Sequence, residues 1–403
     1  MRTVITGRLA GTSGGAIAEQ ALKACVHCGM CNATCPTYQL TGDERDGPRG
    51  RIYLMKQALE GAAPSATTLK HLDRCLSCRA CETTCPSGVQ YHRLLDIARA
   101  EIAGQVGRRP LERLKRWGVR RLASNPGLFR LATALGRAVP LPAALKTKLP
   151  PKVEAGATPA PTRARKMIML GGCVQKASAP HFNATMARIL DRAGVSLVEA
   201  RLAGCCGALH FHLDAEDEAR VAARANVDAW WSLVEAGAEA ILVNSSGCAA
   251  FLKDYPDLLR DDPAYADRAS RLAAMVRDPI EVLAELDLKP VRAPADPKIA
   301  VHEPCTLQHG LKLTGKIPAL LRRLGYEPQA VADAHLCCGS AGAYSLLQPE
   351  LSNQLKANKL AALNASAPAA IYTANIGCWT HLATGGEAPV RHWLEAVDEV
   401  TRP

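Results

Sequence analysis

The chain has 403 residues, a net charge of +11, a pI near 9.0 and sixteen cysteines, with only 4% aromatic residues. That length buries real cores in two or three domains, so no disulfide framework is needed, and the cysteines point to a reducing compartment and to metal-bound thiolates. No run approaches the ~20 apolar residues of a membrane span, and the first ten residues hold Arg2 and Arg8 without an apolar stretch, so neither a transmembrane helix nor a signal peptide is expected and the location read is cytoplasmic.

Residues 1 to 100 carry two copies of C-x2-C-x2-C-x3-C-P. The first is Cys25, Cys28, Cys31, Cys35 and Pro36; the second is Cys75, Cys78, Cys81, Cys85 and Pro86. This is the spacing that holds [4Fe–4S] cubanes in two-cluster ferredoxins, where the fourth cysteine of each run reaches the other cluster. Cluster 1 is therefore assigned to Cys25, Cys28, Cys31 and Cys85, and cluster 2 to Cys75, Cys78, Cys81 and Cys35. Zinc also takes C-x2-C pairs, but a third and fourth cysteine plus proline, repeated, suit it poorly. Two neighbouring cubanes make a path for single electrons. Thirty-nine residues separate Cys35 from Cys75, more than a compact β-type ferredoxin uses. Within them Arg51 to Glu60 reads as a helix stopped by Gly61, and Leu69 to Leu72 starts another; Tyr91 to Ile102 reads as a third. An all-helical two-cluster domain is expected.

From Arg99 to Pro150 there are twelve Lys or Arg against two acids, Glu101 and Glu112, a net of +10. Leu111, Leu114, Trp117, Leu122, Leu128, Phe129, Leu131 and Leu135 suggest short amphipathic helices interrupted by Pro110, Pro126 and Pro140. Such a segment (99–148) suits the anionic inner face of the cytoplasmic membrane as a peripheral contact, or an acidic partner subunit. Nucleic acid is disfavoured by the few aromatics and the lack of a binding motif. A Pro/Ala/Thr-rich linker follows, from Pro150 to Thr162.

Beyond the linker lies an internal repeat. Strand Lys166–Leu170 leads to Cys173, and Lys298–Val301 leads to Cys305, 132 residues later; Cys205-Cys206-Gly207 recurs as Cys337-Cys338-Gly339 at the same offset. Ala240–Val243 leads to Cys248, and Ile371–Thr373 leads to Cys378, at an offset of 130. Helical stretches fall between: 183–193, 216–236, 317–324 and 349–363. The alternation predicts two parallel α/β units whose cysteines gather at strand ends, where open α/β sheets bind ligands. Adjacent cysteines cannot easily share one core. The sharper reading is therefore a third iron–sulfur cluster on Cys305, Cys337, Cys338 and Cys378, with Cys173, Cys205, Cys206 and Cys248 the less favoured set; the plainer reading is buried structural cysteine. The glycines after Cys338 (Gly339, Gly342) favour the second repeat. The expected fold class is α plus α/β: a helical two-cluster ferredoxin-like domain (1–100), basic helices and linker (101–163), and two repeated Cys-Cys-Gly domains (164–290 and 296–403).

The Cys-Cys-Gly repeats resemble the cysteine-rich domains of heterodisulfide reductase catalytic subunits and of membrane-linked 2-hydroxyacid dehydrogenases. The chain is most similar to the iron–sulfur subunits of bacterial glycolate oxidase (glycolate dehydrogenase). The likeness runs through Ala24–Tyr38, Asp46–Tyr53, Leu72–Arg79, Thr373–Cys378 and Val390–Trp393 and keeps the domain order. It implies an electron-transfer subunit that works with flavin-bearing partner subunits oxidising glycolate to glyoxylate, with FAD on those partners and a membrane quinone as acceptor. Ligand-rich members of the wider family end each repeat in C-x2-C; here the places are Cys248-Ala-Ala-Phe251 and Cys378-Trp-Thr-His381, so a fifth thiolate is missing twice and His381 is the nearest substitute. The rivals are the same subunit of a glycerol 3-phosphate or lactate dehydrogenase, and a heterodisulfide-reductase-like catalytic subunit.

No G-x-G occurs among the 31 glycines, so the dinucleotide fingerprint is absent. Gly310 to Lys316 imitates a phosphate loop, but Ile317 stands where Ser or Thr would hold Mg²⁺. No nucleophile–base pair stands out, and no catalytic residue is assigned. His27, His302 and His335 flank cysteines as candidate hydrogen-bond donors to cluster sulfur.

Overall fold

The structure is a computed structural model that describes residues 1–139, 153–385 and 387–403. Helices Ser13–Ala24, Pro48–Leu59, Ala66–Asp73 and Tyr91–Val106 frame the N-terminal domain, which contains no strand among its described residues. Local chemistry sets their starts. Thr12 accepts from the Gly15 amide, Pro48 fills the first turn, and Ser65 and Thr68 form a reciprocal capping box. Together they bury Leu22, Met55, Leu72, Leu94, Leu95 and Ile102, each contributing about 1.5–3 kcal/mol of transfer free energy. The long insert folds as the second and third helices and returns the chain so that Thr34 Oγ1 donates to the Ala80 carbonyl at 3.5 Å.

The basic segment forms helices Pro110–Ser124 and Pro126–Ala138. Each proline sits in the first turn, where its missing N–H breaks no helical bond. Pro140, Lys146, Lys148, Pro150 and Pro151 lie outside the described residues, as does the expected break at Pro140. The arginines turn inward. Arg108 meets Asp73 and Asp214 at 2.6 Å each, Arg116 meets Asp73 at 3.1 Å, and Arg120 meets Glu218 at 3.3 Å. Leu111, Leu114, Trp117, Leu128, Leu131 and Leu135 point outward, 44–63% exposed. No helix among the described residues is long and apolar enough to cross a membrane.

Two four-stranded, all-parallel sheets follow. The first holds β1 (Arg165–Met169), β2 (Val195–Glu199), β3 (Ile241–Leu242) and β4 (Val276–Arg277) in the order β2-β1-β3-β4. The second holds β5 (Lys298–His302), β6 (Glu327–Pro328), β7 (Ala370–Thr373) and β8 (Val390–His392) in the order β6-β5-β7-β8. The registers begin Arg165 on Val195 and Lys298 on Glu327. Each sheet reverses direction of winding beside its first strand, and crevices for ligands open at the carboxyl ends there. β4 and β8 add to the strands expected from sequence, being too short for any periodicity to register.

The repeats share one core, which runs from Met167, Met186 and Leu190 to Val301, Leu320 and Trp393. They also meet at equivalent positions: Ser245 Oγ donates to Asn375 Oδ1 at 2.7 Å, across residues 130 apart. The loop resembling a phosphate cradle is already engaged, since the Gly315 amide donates to both Glu303 oxygens at 2.9 and 3.0 Å.

Candidate iron–sulfur centres

The two ferredoxin loops wind alike. His27 and Gly29 in the first, and Ser77 and Arg79 in the second, have positive φ at matching places between the cysteines. Cys25, Cys28, Cys31 and Cys85 line one cavity, with Val26, Ile52 and Pro86 around them; Cys81 also reaches it. Cys35, Cys75, Cys78 and Cys81 line the neighbouring cavity with Thr37, Arg51 and Leu95. Tyr91 borders both and donates its hydroxyl to Cys75 Sγ at 3.9 Å. The fourth cysteine of each motif therefore faces the first three of the other.

Electrostatics agree with a shared cation in each ring. Burial pushes the Cys31 thiol up to about 11, and Cys25, Cys85 and Cys28 add repulsion. Burial raises Cys81, with Cys78, Cys75 and Cys35 adding to it. Thiols so placed give up their protons only to a metal that takes their place. Soft sulfur donors in fours suit iron–sulfur cubanes.

A buried polar network backs the second ring. Arg51 is 1% exposed, with Nη1 3.9 Å from Cys35 Sγ. Its Nε donates to the His71 carbonyl at 2.8 Å and its Nη2 to Thr37 Oγ1 at 3.1 Å. Asp46 pairs with His71 Nδ1 and Arg74 Nη1, both at 2.7 Å, and with Arg51 at 3.8 Å. Sequence reading missed these roles, because nothing in the spacing of Asp46 and Arg51 marks them.

In both Cys-Cys-Gly domains the four cysteines converge. Cys305 follows β5, Cys337 and Cys338 follow β6, and Cys378 follows β7. Cys305 Sγ lies 3.7 Å from Cys337 Sγ; Cys337 in turn adjoins Cys338, and Cys338 adjoins Cys378. In the first domain Cys173 meets Cys205, and Cys206 meets both Cys205 and Cys248. Hydrogen bonds from Cys173, from Cys206 and from the Gly207 amide draw Cys205 toward thiolate. The glycine of each motif is needed where it stands. Gly207 (φ +94°) and Gly339 (φ +88°) are left-handed, and each amide donates to the first cysteine of its pair at 3.4 Å. A Cβ at Gly339 would lie 2.6 Å from the Ser352 carbonyl.

Glycine content thus does not separate the two quartets, but their surroundings do. Cys78 of the second ferredoxin ring feels Cys305, and Cys337 feels Cys78. Thr83 Oγ1 pairs with His309 Nδ1 at 2.9 Å, and His309 Nε2 meets the His335 carbonyl at 3.0 Å, bridging the helical domain to the second repeat. Lys359, 4% exposed, donates to the Asp333 carbonyl at 2.7 Å and faces the same cysteines. His302 stands beside Cys338 and Cys378. His27 lines the first ring's cavity, whereas His381 is engaged with Ser352 Oγ at 3.3 Å.

Residues 21–89 match the 4Fe-4S dicluster domain family, and residues 168–253 and 299–383 match the cysteine-rich domain family. The chain is 50% identical to the glycolate oxidase iron-sulfur subunit of Escherichia coli (strain K12), over 99% of both chains. It is 33% identical to a probable glycolate oxidase iron-sulfur subunit of Bacillus subtilis (strain 168), over 92% of this chain and 90% of that one. Lactate utilization protein A of Bacillus licheniformis is 29% identical over 47% of this chain and 79% of its own length. The crystal structure of a hypothetical protein from Helicobacter pylori shares the fold, with TM-score 0.60 and 10% identity over 97% of this chain and 73% of that one.

Proposed function

The chain belongs to the family of glycolate oxidase iron–sulfur subunits, and on that premise we propose that it carries electrons from glycolate-oxidising flavin subunits toward a membrane quinone. Oxidation of glycolate to glyoxylate releases two electrons and two protons to FAD on the partners, and a quinone takes up two of each. Bound [4Fe–4S] clusters supply one-electron carriers in between. In this reading Cys25, Cys28, Cys31 and Cys85 hold the first cluster, and Cys75, Cys78, Cys81 and Cys35 the second. Cys305, Cys337, Cys338 and Cys378 hold a third; Cys173, Cys205, Cys206 and Cys248 are the alternative host. Arg51 offsets thiolate charge at Cys35, and Tyr91 donates toward Cys75. The exposed leucines of 110–138 rest on the inner face of the cytoplasmic membrane, near the quinone.

The observation that carries this reading is the 50% identity across nearly the whole of both chains, ferredoxin motifs included. A lactate-oxidising complex is the second reading, favoured by the lactate utilization relatives that cover about half of this chain. Anaerobic purification of the chain with its natural partners tests both. Flavin should copurify, and glycolate should reduce the clusters by EPR while lactate and glycerol 3-phosphate leave them oxidised. Reduction by lactate alone would replace the glycolate reading.

A further inference from the structure

His302 carries one buried ring nitrogen that no protein group meets. The residue ends β5, is 3% exposed, and its Nε2 has no hydrogen-bond partner. An unmet polar nitrogen inside a protein costs about 1–3 kcal/mol, so native structures rarely keep one without a use for it. A ring nitrogen of His302 and the Sγ atoms of Cys338 and Cys378 all lie within 4.8 Å of one another. Thiolate and imidazole donors bind one metal ion at about 2.3 Å and 2.0–2.1 Å, so donors sharing an ion stand no more than roughly 4.6 Å apart. The three groups are thus gathered close to the spacing of a single ion's ligands.

The two repeats differ at this point. At the 132-residue offset that relates them, His302 corresponds to Leu170, and the buried cation Lys359 corresponds to Val227. Leu170 and Val227 are ordinary members of the first repeat's apolar core. The second repeat therefore spends a buried nitrogen donor and a buried ammonium on the same side of its cysteines, and the first spends neither. An ammonium this buried, donating to the Asp333 carbonyl, is suited to a neighbouring anionic centre.

Resting on the reading that the second repeat holds a third iron–sulfur centre, we propose that His302 is a ligand of that centre through Nε2, sharing one iron with Cys338 and Cys378. With Cys305 and Cys337 it gives the site five protein donors, the number that four cysteines alone do not reach. His381, the nearest substitute by sequence position, is engaged with Ser352 Oγ at 3.3 Å and stands outside the group formed by His302, Cys338 and Cys378.

The test uses the full chain, purified anaerobically with ¹⁵N-histidine, and three measurements: iron and sulfide content, EPR of each reduced centre, and pulsed EPR of nitrogen hyperfine coupling. The expected result is a third centre with histidine nitrogen coupling that disappears in His302→Gln, while the signals of the two ferredoxin clusters are unchanged. His302→Cys, which replaces nitrogen with thiolate, should keep the iron and lose the coupling. The unchanged ferredoxin signals, with an unaltered circular dichroism spectrum, report that the variants fold. A third centre whose coupling is absent, or persists in His302→Gln, overturns the ligand assignment and leaves the centre standing. Intact protein with iron for only two clusters overturns the third centre itself, and His302 with it.

Discussion

Cys78 of the second ferredoxin motif and Cys337 of the second Cys-Cys-Gly domain lie in one buried cluster, joined by Leu76, Ala80, Tyr344 and Leu355. The cysteines of three candidate centres thus follow one another through the protein, the first ring meeting the second at Tyr91 and the second meeting the repeat at this cluster. Water is excluded at the junction, which keeps neighbouring charges strongly coupled. Cys337→Ala and Cys338→Ala should each remove about four irons per chain, the content of one [4Fe–4S] cluster. Each should also alter the EPR line shape of the second ferredoxin cluster more than that of the first. Unchanged iron in both variants would leave the repeat as a docking surface.

In the proposed crossed ligation each motif depends on the other. Cys35→Ser should perturb the cluster held by Cys75, Cys78 and Cys81, and Cys85→Ser the one held by Cys25, Cys28 and Cys31. EPR of the single variants distinguishes them. If Cys35→Ser disturbs only the cluster of its own motif, the assignment is wrong. Because metal binding contributes folding free energy, chelation of iron should unfold the helical domain as a unit.

Arg51 is a full charge in the interior, held by Thr37, the His71 carbonyl and Asp46. Replacing one member of such a network typically costs about 3–5 kcal/mol. Asp46 keeps His71 and Arg74, so Arg51→Met should fall near the lower end. Loss of the cation beside Cys35 should also lower the potential of the second cluster while leaving the first in place. Redox titration followed by EPR reads both, and equal shifts in the two clusters would refute a local effect.

What the sequence made legible follows from how each feature works. Metal ligation demands fixed spacing, so the eight ferredoxin cysteines and the matched Cys-Cys-Gly quartets stand out from Cys25 to Cys378. Strands β1, β5 and β7 carry apolar runs long enough to read. β4 and β8 are two and three residues long and gain their pairing only from the neighbouring strand. His302, Lys359 and Arg51 act by proximity in space, which no spacing encodes. The +10 segment was legible as charge, yet Arg108, Arg116 and Arg120 fold inward onto acids from residues 73 to 218, which turns the leucines out.

Asp278 is buried at a helix start, where Oδ1 accepts from the Ile280 amide at 3.0 Å and Oδ2 has no partner. Burial pushes its carboxyl up to about 7, with Glu281 adding repulsion. An unfolded aspartate titrates near 3.9, so the folded state holds the proton more tightly. The stabilisation is complete below about pH 4 and is lost as pH rises through 7. Asn keeps the cap without the charge. Asp278→Asn should therefore exceed the parent in stability at pH 8 by about 2–4 kcal/mol, at roughly 1.4 kcal/mol per pKa unit. Thermal melts at pH 5.5 and 8 decide it, since an advantage that fails to grow with pH removes the argument.

The helix pair 110–138 inverts the usual arrangement, with salt bridges inside and Leu111, Leu114 and Trp117 outside. Exposed apolar area this concentrated calls for a cover. If the cover is lipid, each of these side chains contributes about 1.5–3 kcal/mol on insertion, and each nearby Lys or Arg about 1 kcal/mol, screened by salt. Replacing Leu111, Leu114 and Trp117 by Ser should weaken binding to anionic vesicles far more than tenfold at any salt concentration. Neutralising Arg109, Arg113 and Lys115, which are exposed, should weaken it only at low salt. Arg116 and Arg120 are left alone because they hold the helix to the protein. Vesicle binding that survives the serine substitutions, with loss of partner copurification instead, would make the same face a subunit contact, since a protein interface needs the leucines but is far less sensitive to lipid charge.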